Sequence, residues 1–268
     1  MRVTAAIAVS VFRESVRDKV LYNLVFFAVL LMASSYLIGQ LTAGQDVKII
    51  KDLGLSATSL FGLFIAVFIG IGLVSKEVER RSIYSLLAKP ITRAQLVLGK
   101  YCGLSLTLAV NIAAMALALY AVLAYMVWTL PPEARLVGDA PTLDPALLKA
   151  VLMIFVELML VTALALFFST FSSPMLSAAL TFGLYVVGHF SGDLRNFQRV
   201  VDSPAAARLA RGLYWVLPNL AQFDIKNDVV HHRHVAPGSM AMSCAYAAAY
   251  IAMLLAISVL VFSRRDFK

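Results

Sequence analysis

The chain has 268 residues, of which 61% are hydrophobic and 14% charged, with a mean hydropathy of +0.84 and a formal net charge of +8. A soluble domain is about 45–50% apolar and about 25% charged, so a water-soluble enzyme, a disordered tail and a collagen-like chain are excluded and an integral membrane protein remains. In such a protein a basic excess marks loops and lipid contacts rather than a nucleic-acid surface.

Residues 1–19 read as an N-terminal interfacial amphipathic helix. Ala5, Val9, Phe12 and Val16 recur at helical spacing with Ser10, Arg13, Arg17 and Asp18 turned away. Val3, Ile7 and Val11 spoil the polar face, and the alternative is a plain extension of the first span. Residues 20–268 then read as one six-span, all-α domain. Crossing the hydrocarbon core takes roughly 20 apolar residues. Runs of that kind lie at Val20–Leu41, Leu55–Ser75, Tyr101–Trp128, Leu147–Phe171, Pro174–Phe190 and Ala241–Phe262, the third long and the fifth short. The first is not a signal peptide, because it starts late and no cleavage site follows. Cys102 and Cys244 lie in or beside apolar runs and form no disulfide framework.

An even number of spans puts both termini on one side. With that side cytoplasmic, its segments hold thirteen Lys and Arg residues against ten outside. Six of the thirteen fall in the loop Lys76–Lys100, and the outer segment 191–240 carries six spread over twice the length. Both ends are therefore expected in the cytoplasm, and the membrane is the plasma (inner) membrane.

The loop Lys76–Lys100 is charged and internally structured. Lys76–Ala88 can form a helix that Pro90 ends, since proline cannot continue the hydrogen-bond ladder. Thr92 and Gln95 then have capping-box spacing, which opens a second helix. A solvated basic loop is the bland alternative. The segment resembles the coupling region of ABC-2-type transporter permeases, in which an acidic residue, two leucines, a proline, an arginine and a closing Gly-Lys recur. Glu77, Leu86, Leu87, Pro90, Arg93, Gly99 and Lys100 match, and Arg81-Ser82 stands where Gly-Thr is commoner. Within that family, Leu217, Pro218, Asn219 and Phe223, then Lys226, Val229 and Val230, are most similar to the permease branch for multicopper-enzyme maturation, typified by nitrous oxide reductase assembly.

The resemblance implies a dimeric permease, as a homodimer or pseudo-dimer, whose energy comes from a separate ABC ATPase subunit binding ATP and Mg. It implies coupling through Glu77, Glu79, Arg80, Arg81, Pro90, Arg93 and Lys100, and an outer gate formed by helices of the segment 191–240. The chain has no GxxxxGK[ST] motif, and Gly99-Lys100 is followed by Tyr101, so it does not hydrolyse ATP by that route. Nor does it hold HExxH or GxSxG, and a membrane enzyme has little support. The competing function is a non-transporting anchor that transmits force to an extracytoplasmic, copper-containing partner.

Three polar features remain. Glu157 sits mid-span, where ionisable groups are costly and functional by default. It is a candidate for the substrate path with Asn111, or else a protonated group hydrogen-bonded between helices, for instance to Asn111. Gly62, Ala66 and Gly70 repeat at four-residue spacing, and Gly99 and Gly103 open the third span, which favours close helix packing within a subunit. His231, His232 and His234, with Met240, Met242 and Cys244, are ligand types suited to copper or zinc. They have no recognised ligand spacing, so a solvated loop is the preferred reading. His189 reads as an interfacial residue.

Overall fold

The computed structural model describes residues 2–40, 46–79, 92–129, 136–137, 140–190, 212 and 217–264. The long helices are α1 (Arg2–Val16), α2 (Lys19–Gln40), α3 (Asp46–Glu79), α4 (Arg93–Thr129), α5 (Leu147–Ser169), α6 (Pro174–His189) and α8 (Pro237–Arg264). A 3-10 turn at Ala221–Phe223 and the short helix α7 (Lys226–Val230) lie between α6 and α8. A two-residue antiparallel pair sets Leu136 opposite Pro141 and Val137 opposite Ala140.

Among the described residues five helices, α2, α3, α4, α5 and α8, are long and apolar enough to cross a membrane. The expected fifth span, α6, is different. It has 16 residues, about 24 Å of rise, against a hydrocarbon core of about 30 Å. Other spans run longer than their apolar stretches. α3 begins at Asp46 rather than Leu55 and continues unbroken through Glu79, and α4 begins at Arg93 rather than Tyr101.

Helix directions follow from the glycine contacts. A Cβ at Gly54, Gly62 or Gly70 would strike Leu119, then Leu158 and Ile112, then Ala165. Thus α3 runs parallel to α5 and antiparallel to α4. α4 begins where α8 ends, α2 begins beside the far end of α3, and α6 turns back along α5. The Gly62-Ala66-Gly70 stripe is therefore an internal seam: at Gly70 a Cβ would come within 2.6 Å of the Ala165 Cβ. Close backbone approach replaces the hydrophobic drive that lipid does not supply.

α5 is the central helix. It is apolar all round, and α3, α4, α6 and α8 pack against it. Its Thr162 hydroxyl donates to the Leu158 carbonyl, as Thr58 does to Gly54 on α3, so these polar groups are satisfied without water. The peripheral helices show lipid-facing surface instead. Leu117 is 72% exposed and Phe26 61%, which water would penalise and acyl chains do not. Tyr36, Tyr125 and Trp128 cluster edge to face at one end of the bundle, where amphipathic rings meet headgroups.

α1 is a separate helix, set off from α2 by Asp18, whose carboxylate accepts the Val20 N–H at 3.0 Å. The face it packs is not the stripe read from periodicity. Val11 is buried and Ile7 packs on the core, while Ala5 and Val9 stay exposed. The reason lies on α4: Gly99 and Gly103 open a groove into which Ile7, Ala8 and Val11 press, and a Cβ at Gly103 would lie 2.6 Å from the Ala8 carbonyl oxygen. Ile7 and Val11, two of the residues that seemed to spoil the polar face, belong to the docking face, while Val3 stays exposed.

Candidate functional site

The expected site residues divide between two regions of the bundle. At the Arg93 end, Thr92 and Gln95 form the capping box anticipated from their spacing. The Gln95 N–H donates to Thr92 Oγ1 at 3.3 Å, and the Thr92 N–H donates to Gln95 Oε1 at 3.2 Å. Glu77 and Glu79 fall on the last turn of α3, continuous with the span. Arg80, Arg81 and Pro90 lie outside the described residues. Arg93 has a definite contact: its Nη1 donates to the Phe262 carbonyl at 2.7 Å and the Ser263 carbonyl at 2.6 Å. A guanidinium there meets the free carbonyls and negative end of α8. Lys100 is buried, 4% exposed, on the side of α4 where α1 packs.

Away from that end, Glu157 is 2% exposed near the middle of α5. Its expected partner Asn111 is occupied elsewhere, donating from Nδ2 to the Thr107 carbonyl of its own helix at 2.7 Å. The partner of Glu157 is His189, assigned from sequence to the interface. His189 Nε2 stands 3.2 Å from Glu157 Oε1. This is ion-pair distance without alignment, so Oε1 accepts no hydrogen bond from it. Tyr185, one turn earlier on α6, lies within electrostatic reach of Glu157 and near Ser59 of α3, and His189 Nδ1 lies 3.1 Å from the Tyr185 carbonyl. The short α6 explains the meeting. His189 is fifteen residues beyond Pro174 and Glu157 thirteen before Thr170, so across the tight Ser172-Ser173-Pro174 turn they reach nearly the same height. That hairpin arithmetic was available in the sequence.

Over this cluster the segment from Leu217 to Val230 folds back into the bundle. Leu220, Phe223, Val229 and Val230 are all buried, and the Leu220 N–H donates to the Gly188 carbonyl at 3.0 Å. The Asn219 N–H donates to Tyr246 Oη at 3.0 Å. Asp224 and Lys226, 3.7 Å apart, bring charge toward Glu157. Most of the residues similar to the maturation branch thus pack against α3, α5, α6 and α8, while Lys226 pairs with Asp224.

A second acidic centre lies at the N-terminal end of α5, about 15 Å of helix rise from Glu157. Asp144 precedes α5 and accepts the Ala146 N–H at 2.8 Å. His232 Nδ1 approaches its other oxygen at 3.2 Å, and Lys51, 2% exposed on α3, lies within electrostatic reach. His232 holds a φ of 54°, a left-handed conformation that a non-glycine residue adopts at a cost. The three loop histidines are not gathered: His231 sits against the Asn227 carbonyl and His232 against Asp144. Among the described residues no group of three His, Cys, Asp or Glu could hold a metal ion.

Apolar helices that alternate in direction, with a segment at Leu217–Val230 folded back among them, define a polytopic helical membrane protein. The sequence matches the family described as ABC-2 family transporter protein over residues 5–267. The chain belongs to that family, and membership implies an integral membrane permease subunit associated with an ABC ATPase. No curated protein matches it significantly.

Proposed function

We propose that the chain couples ATP hydrolysis by a separate ATPase subunit, which binds ATP and Mg, to export or movement of a substrate across or out of the membrane. It works as a pair of copies in the cytoplasmic membrane. Both termini and the Arg93 end face the cytoplasm, in keeping with the density of basic residues in Lys76–Lys100. Glu77, Glu79, Arg80, Arg81, Pro90, Arg93 and Lys100 belong to the coupling element, and Glu157 with Asn111 to the substrate path.

One observation carries the coupling reading: both described flanks of the segment 80–91 are helix ends. α3 continues unbroken through Glu79, the capping box opens α4, and Arg93, the first residue of α4, fastens it to the last carbonyls of α8. A push on that segment is therefore delivered to α3 and to α4, and through Arg93 to α8. At the far end, the segment over Glu157 acts as the gate, held by a pair that a helix tilt can part.

The test is a double charge reversal, Glu77→Lys with Arg81→Glu. Exposed charges contribute little singly, so both are changed. The variant should insert and fold as wild type but lose ATPase pull-down, or lose the difference in ATP turnover between the reconstituted complex and the ATPase alone. Wild-type behaviour in both measurements refutes the coupling role.

A further inference from the structure

Between α4, α5 and α8, near the Arg93 end, runs an apolar groove of about 850 Å³. It passes from Cys244 and Val156, beside Tyr101 and Ala252, to Ala94 and Leu260. Nothing in the ATPase-coupling or gating scheme uses it. Along α8 the groove covers the sixteen residues from Cys244 to Leu260, roughly 24 Å of helix rise. The groove is an open apolar trough lined along its length by small and aliphatic side chains. An extended acyl chain fits.

The mouth of the groove is charged. Ala94 lines it, and the preceding residue, Arg93, is pinned against the end of α8 by two carbonyls that both engage Nη1. Its other donors have no partner among the described residues, and no carboxylate there pairs with it. A fixed, half-buried cation at the end of an apolar channel complements an amphiphile with an anionic head. We infer that this groove is a binding site for one acyl chain of an anionic phospholipid, whose phosphate is held by Arg93 in the leaflet at that end of the bundle.

The test uses the full-length chain in detergent, with phosphatidylglycerol and phosphatidylcholine of identical chains added in equal amounts and retention read by native mass spectrometry. Wild type should retain phosphatidylglycerol about fivefold more, the weight of one basic residue against an anionic headgroup. Arg93→Gln should abolish that preference while keeping one bound lipid, and Ala252→Trp should remove both lipids. Equal retention by wild type, or retention indifferent to both variants, overturns the assignment. A two-copy mass that Ala252→Trp reduces to one, with lipid unchanged, also overturns it and makes the groove a subunit interface. Should Ala252→Trp not fold, the site is read on Cys244, which lines the groove, in a Cys102→Ser background. Phosphatidylglycerol must then slow maleimide labelling of Cys244 more than phosphatidylcholine does, and equal labelling rates overturn the proposal.

Discussion

The two ends of the bundle are held by different forces. At the Arg93 end the fastenings are backbone-level: α1 against bare glycines of α4, a capping box, and a guanidinium on helix carbonyls. At the His189 end they are side-chain polar contacts under a segment that folds back, Glu157 with His189 and Asp144 with His232. Glycine contacts and caps are short, numerous and insensitive to small displacement of a single side chain. A buried polar contact holds while closed and leaves a costly unpartnered group once one partner leaves. An end that must transmit a push suits the first kind of joint, and an end that must open suits the second.

That contrast can be broken most forcefully at Glu157. Glu157→Lys places a cation beside Lys226 and His189 in a site 2% exposed. An unpaired charge buried there costs several kcal/mol. Thermal unfolding in detergent should show a large fall in midpoint, with hydrogen exchange rising first in the segment 217–230. A stable variant with unchanged exchange there would mean that the charge cluster does not hold the gate.

Next comes Gly103→Leu at the other end. Its Cβ would meet the Ala8 carbonyl oxygen at 2.6 Å, and backbone cannot move aside as a side chain can. Overpacking of this kind costs about 1–3 kcal/mol. Limited proteolysis should cut within α1 much faster than in wild type, while the Glu157 cluster keeps its protection.

A smaller effect belongs to Thr92→Ala, which removes one half of the capping box at a cost of about 1 kcal/mol. Exchange should rise over the first turn of α4 only. The smallest belongs to His232→Gly. It relieves a φ of 54° but gives up the Asp144 contact, two terms of about 1 kcal/mol or less that oppose each other. The net change in unfolding midpoint should be near zero, whereas His232→Ala, which keeps the strain and loses the contact, should be measurably less stable.

Much of this organisation is written locally. Apolar run length places five spanning helices to within about two to three turns and over-reads the short α6, because a backbone in lipid has to satisfy its own hydrogen bonds and helix is the simplest solution. The Thr92–Gln95 cap was legible because a capping box involves only neighbours along the chain. The Gly62-Ala66-Gly70 stripe announced a close seam, though not that α5 was its partner.

What the sequence did not yield are relations between residues distant along the chain. Periodicity in α1 marked Ala5 and Val9 as its apolar face, and the glycines about ninety residues away on α4 chose Ile7 and Val11 instead. Glu157 pointed by composition toward Asn111, but the Asn111 amide closes on its own helix, and the short α6 delivers His189 to the same height. Arg93 read as an exposed coupling charge and is anchored on a helix end 169 residues away. Composition and period determined that this chain enters a membrane as a bundle of helices, since lipid acts on every residue alike. Which faces meet, and which charges find each other, was decided only by tertiary packing, because that depends on helix lengths and on where glycine lets two backbones approach.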